Sequence, residues 1–186
     1  MTTTRDALVE AATELLEEGG VAAVTLREVG HRAGVSHNAP YKHFADKEEL
    51  LAAVVARDLS RQAVSGRKLR GASPVETAKL MLVGYIRHAQ AHPEIFRLTY
   101  GPWRRGPSEL AAAADNARSS LVTAVIAAQK SGDLPSGDPE RLTALLLALA
   151  HGATDLALSG HLDENGKGHA GPTDLVDDLF DYLRQA

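Results

Sequence analysis

Apolar residues recur at three- and four-residue intervals along most of the chain, the spacing that gathers them on one face of an α-helix. From Thr4 to Glu18 they fall at Ala7, Leu8, Ala11, Ala12, Leu15 and Leu16, and Gly19-Gly20 ends the segment. Thr25 stands at the N-cap of a second helix, Leu26 to Ala33, whose buried stripe is Leu26, Val29, Gly30 and Ala33. Gly34 stops it by accepting a left-handed backbone. Ser36 opens a third short helix running to about Phe44. Pro40 lacks the N–H that would bond back to Ser36, which moves the expected start toward Asn38. Asp46-Lys47-Glu48-Glu49 reads as a capping box for a fourth helix, which extends toward Ala63 through Leu50, Leu51, Val54, Val55 and Leu59.

The tract Ser65 to Ala72 is basic, contains glycine and has no apolar period, so it marks a domain boundary. Beyond it the periodic pattern returns. Ser73-Pro74 starts a helix with the stripe Ala78, Met81, Leu82, Tyr85, Ile86 and Ala89, and a short helix follows from Pro93 to Tyr100. Pro107 to Lys130, Asp138 to Gly160 and Thr173 to Arg184 complete the set. Strand alternation and internal repeats are missing, so the expected fold is all-α with about nine helices. The expected partition is a small helical module at 1–50, a connecting helix and linker at 51–72, and a larger helical domain at 73–186.

Charge narrows the choice of partner. With 20 Lys and Arg against 24 Asp and Glu, the net charge of −4 argues against a protein that coats nucleic acid indiscriminately. The stretch Thr25 to Lys47 is different, since Arg27, Arg32, Lys42 and Lys47 against Glu28 and Asp46 leave a balance of +2. His31, His37 and His43 add charge below neutrality. The chain has no cysteine, which excludes thiolate chemistry and Cys-based zinc sites. It also has no run of eighteen uncharged apolar residues and no secretory leader pattern, so a cytoplasmic location without a membrane partner is expected. A phosphate-cradling glycine loop, a nucleophile elbow and a His-Glu-x-x-His are all missing, so neither catalytic residues, a metal nor a cofactor are expected.

A helix-turn-helix that reads DNA needs two short helices, a glycine at the turn, apolar residues that lock the angle and polar residues facing the groove. Leu26 to Phe44 supplies each. Ala33, Val35 and Phe44 are the locking residues, and His37, Asn38, Tyr41, Lys42 and His43 are the polar ones. Gly34-Val35-Ser36, Tyr41-Lys42-His43-Phe44 and Lys47-Glu48-Glu49-Leu50 together resemble the DNA-binding module of TetR-family repressors, over roughly residues 4 to 55. The resemblance implies phosphate contacts at Thr25, Tyr41 and Lys47, and places Ser36, His37, Asn38 and Ala39, with Lys42 or His43, in or beside the major groove. Arg27 joins the DNA-facing set through its charge. Taken alone, Tyr41 reads as an ordinary amphipathic surface residue; its place in the composite motif reverses that.

The second domain concentrates aromatic and polar groups in helical stripes. Met81, Tyr85, His88, Phe96, Tyr100 and Trp103 suggest a small-molecule cavity between helices, which a bulkier residue at Gly84 would crowd. His151 lies in an apolar run and reads either as a hydrogen-bonded core residue or as a polar group in that cavity or near a subunit seam, with Asp155 one turn later placed to orient it. The stretch from Tyr85 to Phe96, with Ala150-His151-Gly152, resembles the TetR C-terminal subtype that usually carries Trp-His-Gly there. Because one short helix reads few base pairs, a homodimer on a palindromic operator is expected, joined through Leu142, Leu145, Leu146, Leu149, Leu156, Leu175, Leu179 and Leu183. The loop Gly160 to Pro172 superficially looks like a calcium loop, but Lys167 and Asp174 occupy two of the ligand positions and exclude it. The competing reading is a helical small-molecule-binding or interaction protein without DNA binding. It leaves unexplained why basic and hydroxyl residues collect on two helices too short to be stable alone.

Overall fold

A computed structural model describes residues 3–67, 72–103 and 108–185. All regular structure among them is helical: α1 Thr4–Ala23, α2 Leu26–Arg32, α3 Ala39–His43, α4 Lys47–Arg67, α5 Pro74–Ala91, α6 Pro93–Thr99, α7 Ser108–Lys130, α8 Pro139–Leu158 and α9 Pro172–Gln185. The expected boundary tract at Ser65 to Ala72 and the expected start of a helix at Pro107 fall largely outside the described residues.

Local chemistry accounts for the ends. Thr3 Oγ1 accepts the Asp6 N–H at 3.1 Å while the Asp6 carboxylate accepts the Thr3 N–H, a reciprocal cap that also holds the Asp6 carboxyl below its usual range. The α1 trace breaks at Gly19 (φ −149°, ψ 18°) and Gly20 (φ 66°, ψ −170°), the second a conformation that side chains other than glycine rarely adopt. Asp46 Oδ1 accepts the Glu49 N–H at 2.9 Å and the Glu49 carboxylate accepts the Ala45 N–H, so both expected capping side chains serve the first turn of α4. Asp138 caps α8 by accepting the N–H groups of Glu140 and Arg141, ahead of Pro139 in the first turn. Asp138→Ala is expected to cost about 1 kcal/mol, read as a lower urea midpoint at constant m-value.

The helices form two compact units. The first comprises Met1–Arg61 and His92–Asp115. Its core holds Leu8, Ala12, Leu16, Val24, Val29, Phe44, Leu50, Val54 and Ile95, so α6 packs against α1. Arg57 reinforces the α1–α4 contact: its guanidinium donates to Thr13 Oγ1 at 2.8 Å and pairs with Glu10, and burial pulls its pKa down.

The second unit comprises Gln62–Ala91 and Asn116–Ala186, and packs α5, α8 and α9 on one another with the later part of α7. Its core contains Ala78, Leu82, Ile86, Val125, Ala128, Leu146, Ala150, Val176 and Phe180. The buried hydroxyls of Thr143 and Thr154 are satisfied by the carbonyls one turn back, at Pro139 and Ala150. Among the described residues α8 alone is long and apolar enough, by length and composition, to cross a membrane. One of its faces is committed to this core through Leu146, Ala150 and Ala153, while Arg141, Leu145, Asp155 and Leu156 are exposed. In the loop before α9, the Asp163 carboxylate accepts the Asn165 N–H at 2.9 Å and its backbone pairs with Lys167 and Gly168. Those bonds are internal to the loop, and among the described residues no cluster of His, Asp and Glu suits a metal ion.

Candidate nucleic-acid interface

The two short helices α2 and α3 meet at one close approach. Gly30 of α2 is buried, and a Cβ built there would stand 3.0 Å from Pro40 Cγ. Glycine lets the Pro40 ring seat against α2, so Pro40 becomes a packing residue of α3. α3 starts at Ala39 with Asn38 as its cap residue, because Pro40 has no N–H to donate to Ser36; the turn closes instead through the Ala39 N–H to Ser36 at 2.9 Å. At the other end the Phe44 N–H donates to the Pro40 carbonyl and the Phe44 ring is sunk in the core, with the Arg5 guanidinium 5.3 Å from its centroid. Pro40 and Phe44 therefore pin α3 by its inner face.

The outer face is polar. Ser36, His37, Asn38, Tyr41, Lys42 and His43 are exposed, with Tyr41 at 58% and Ala39 half-buried between them. Thr25 and Arg27 are exposed at the start of α2, where Thr25 Oγ1 accepts the Glu28 N–H at 3.1 Å. Gly34, at φ 66°, turns the chain between the two helices. The arrangement presents hydroxyls, an amide, imidazoles and two cations on one module, groups that suit phosphate oxygens and base edges.

Two cations of the stretch have other partners. Arg32 Nη1 and Nη2 each donate to a Glu18 carboxylate oxygen at 2.8 Å, and Nη1 also lies 3.4 Å from Glu14. This fork holds the Glu18 carboxyl below its ordinary range and pushes the Arg32 guanidinium up. A depressed carboxylate adds stability above its unfolded pKa and loses it as pH falls through the folded value, so the α1–α2 tie weakens in acid. Lys47, at the head of α4, donates its ammonium to the Val21 carbonyl just past the Gly19-Gly20 break. Pairings 14 and 26 residues apart leave no mark in helical periodicity, so sequence reasoning missed both ties, as it missed the Gly30–Pro40 contact.

The residues expected to line a ligand cavity are divided between the units. Phe96, Tyr100 and Trp103 belong to the first, where Phe96 and Tyr100 rings lie 5.7 Å apart and Trp103 packs on the core. Met81, Tyr85, His88, His151 and Asp155 belong to the second. There the Tyr85 hydroxyl and His151 Nδ1 are 2.9 Å apart, both half-buried at the α5–α8 contact. His151 thus takes a phenol as partner, while Asp155, expected to orient it, is exposed. Gly84 is also exposed and a Cβ there would meet nothing within 4 Å, so a bulkier residue would point into open space rather than crowd an interior.

Of the leucines expected at a subunit seam, Leu145 (67%) and Leu156 (47%) are exposed, and Leu142, Leu149, Leu175, Leu179 and Leu183 are half-buried. Leu146 is fully buried in the core of its own unit and is corrected to a core residue, because it faces α5 and α9 rather than outward.

Comparison with known proteins bears on both units. The chain matches the tetR family of bacterial regulatory proteins over residues 8–54 and the tetracyclin repressor-like C-terminal domain over residues 79–185. A protein of unknown function from Rhodococcus sp. RHA1 is similar at 28% identity and a TM-score of 0.82, covering 100% of this chain and 95% of that one. A TetR/AcrR-family transcriptional regulator from Thermobifida fusca shares the fold at 22% identity and a TM-score of 0.71, covering 98% and 97%. The regulator FadR from Bacillus subtilis, solved with stearoyl-CoA, shares it at 14% identity and a TM-score of 0.72, covering 95% and 96%.

Proposed function

Because this chain belongs to the TetR family of bacterial regulatory proteins, we propose that it is a homodimeric repressor that holds a palindromic operator and releases it when a small molecule binds. The observation that carries the reading is the division of α3: Pro40 and Phe44 are buried, while Tyr41, Lys42 and His43 face outward beside Ser36, His37 and Asn38. In this reading Thr25, Tyr41 and Lys47 hold phosphates, with Arg27 adding charge, and Ser36, His37, Asn38 and Ala39, with Lys42 or His43, lie in or beside the major groove. The second unit takes the effector, with the Tyr85–His151 pair as its polar end and Met81 and His88 nearby. That FadR was solved with stearoyl-CoA supports ligand binding by this fold. Location in the cytoplasm follows from the same role.

The test is fluorescence anisotropy of the full chain against duplex DNA flanking its own gene. Saturable, salt-sensitive binding is expected, and no binding at low salt would overturn the reading. Tyr41→Ala should weaken binding about equally across operator variants, because a phosphate partner carries no sequence information. Loss confined to one base pair would reassign Tyr41 to base reading. Effector and operator must also oppose each other by the same factor, so calorimetric titrations of an effector with and without operator should differ.

A further inference from the structure

We infer that His37 and His43 make DNA binding by the helix-turn-helix proton-coupled: each imidazole takes up a proton beside the phosphates of a bound duplex, so the protein holds DNA more tightly as pH falls below neutrality. The inference rests on the DNA-binding reading above and adds the proton to it as a regulating ligand.

Histidine is the side chain whose charge ordinarily changes across neutral pH. Three of the chain's eight histidines, His31, His37 and His43, fall within the stretch Thr25 to Lys47, and all three are exposed. Arg27, Arg32, Lys42 and Lys47 against Glu28 and Asp46 give that stretch a charge of +2, and three imidazolium charges raise it to +5. The change exceeds the charge the stretch carries with its histidines neutral. A term of that size must register in binding to a polyanion.

The surroundings of the three imidazoles separate them. His37 lies between exposed Ser36 and Asn38 in the turn, and His43 ends α3 beside exposed Tyr41 and Lys42, its ring 6.5 Å from that of buried Phe44. The charged groups of the neighbouring elements have other roles. On α1, Asp6 serves the cap at Thr3, Glu10 pairs with Arg57, Glu14 and Glu18 hold Arg32, and Arg5 pairs with Glu109 over the Phe44 ring. On α2, Arg27 is exposed and Glu28 stands 3.8 Å from His31 Nδ1. At the head of α4, Asp46 and Glu49 accept backbone N–H groups, Lys47 donates to the Val21 carbonyl, and Glu48 completes the charged set. Among the described residues no carboxylate pairs with His37 or His43. An imidazolium at either position therefore has no counter-charge in the free chain, and the counter-charge arrives with the DNA. His31 differs, because Glu28 is beside it whether or not DNA is bound.

The sign follows from linkage. A group that is more fully protonated in the complex than in the free chain gives its full gain in affinity at low pH, and that gain is lost as pH rises until neither state holds the proton. Each proton taken up also adds a cation against a phosphate, which steepens the salt dependence of binding.

The experiment uses the full chain and a duplex of mixed sequence, whose non-specific binding is almost wholly electrostatic and requires no known operator. Anisotropy gives the affinity from about pH 6 to about pH 8, with circular dichroism at each pH to show that the fold is unchanged. Wild-type protein should lose about tenfold or more in affinity over that range, since each unit by which DNA shifts an imidazole is worth a factor of ten. Its plot of log affinity against log salt should be steeper at the acid end by about 0.9 for each imidazolium that neutralises a phosphate. His37→Gln and His43→Gln keep a hydrogen-bonding side chain that carries no charge. Each should flatten the pH dependence, the double variant should remove most of it, and His31→Gln should follow wild type. Titration calorimetry at one pH, in two buffers of different ionisation enthalpy, counts the protons directly: uptake by wild type and little by the double variant. A wild-type affinity independent of pH, no proton uptake, a double variant as pH-dependent as wild type, or a His31→Gln as flat as His37→Gln overturns the inference. Wild-type protein that binds no duplex at low salt at any pH in the range overturns the DNA-binding reading itself, a result distinct from those four.

Discussion

Phe44→Ala should destabilise the first unit by about 3 to 5 kcal/mol and abolish operator binding with it. Phe44 is 2% exposed and is among the largest fully buried side chains, set among Leu8, Ala12, Val29 and Leu50. Truncation removes its transfer free energy and leaves a cavity between helices held by their own cores, where relaxation is partial. Its position magnifies the effect on function. The residue closes α3 through its N–H to Pro40, and a helix of 5 residues has no independent stability. With the ring gone, Pro40 against Gly30 is the remaining inner anchor of α3. Urea unfolding gives the energy and anisotropy gives the binding. A loss below about 1 kcal/mol would mean that the ring is not the anchor described. Gly30→Val tests the same lock from the opposite side, since its side chain must displace the Pro40 ring.

The second large effect concerns the proposed dimer. Leu145→Asp combined with Leu156→Asp should give a folded monomer whose operator affinity falls by about 100-fold or more, because the two half-sites are no longer read by one linked particle. The two positions are 11 residues apart, close to three helical turns, so they lie on one line along α8. Half-buried Leu149 and Gly152 fall between them on that line, and Leu175, Leu179 and Leu183 recur every turn on α9. Two leucines exposed to 67% and 47% on one face of a helix whose other face is core are the apolar surface that a four-helix seam would cover. Neither variant touches the unit's own packing, so the melting curve should change little at matched association state. Sedimentation gives the mass, and a variant that remains dimeric with unchanged affinity would move the seam elsewhere.

What could be read from the sequence was what depends on neighbours within a turn or two. Among the described residues the nine helices, the cap at Thr25, the break at Gly19-Gly20 and the turn at Gly34 all follow from i to i+4 chemistry, which the order of residues displays directly. The helix-turn-helix was equally legible, because its glycine turn, its locking residues and its polar face lie within twenty residues. Tertiary packing decided the rest. Leu145 and Leu146 are the same residue type side by side, yet about 100° of helical rotation sends one to the surface and the other into the core. Periodicity shows that α6 has an apolar face, but only packing assigns Ile95 to the core of α1 and so carries Phe96, Tyr100 and Trp103 into the first unit. The Tyr85–His151 bond joins residues 66 apart, and Arg32 finds Glu18 rather than a neighbour on its own helix. Such pairings depend on how helices cross, and crossing is set by the fit of whole side-chain surfaces, a property that no local window of sequence contains.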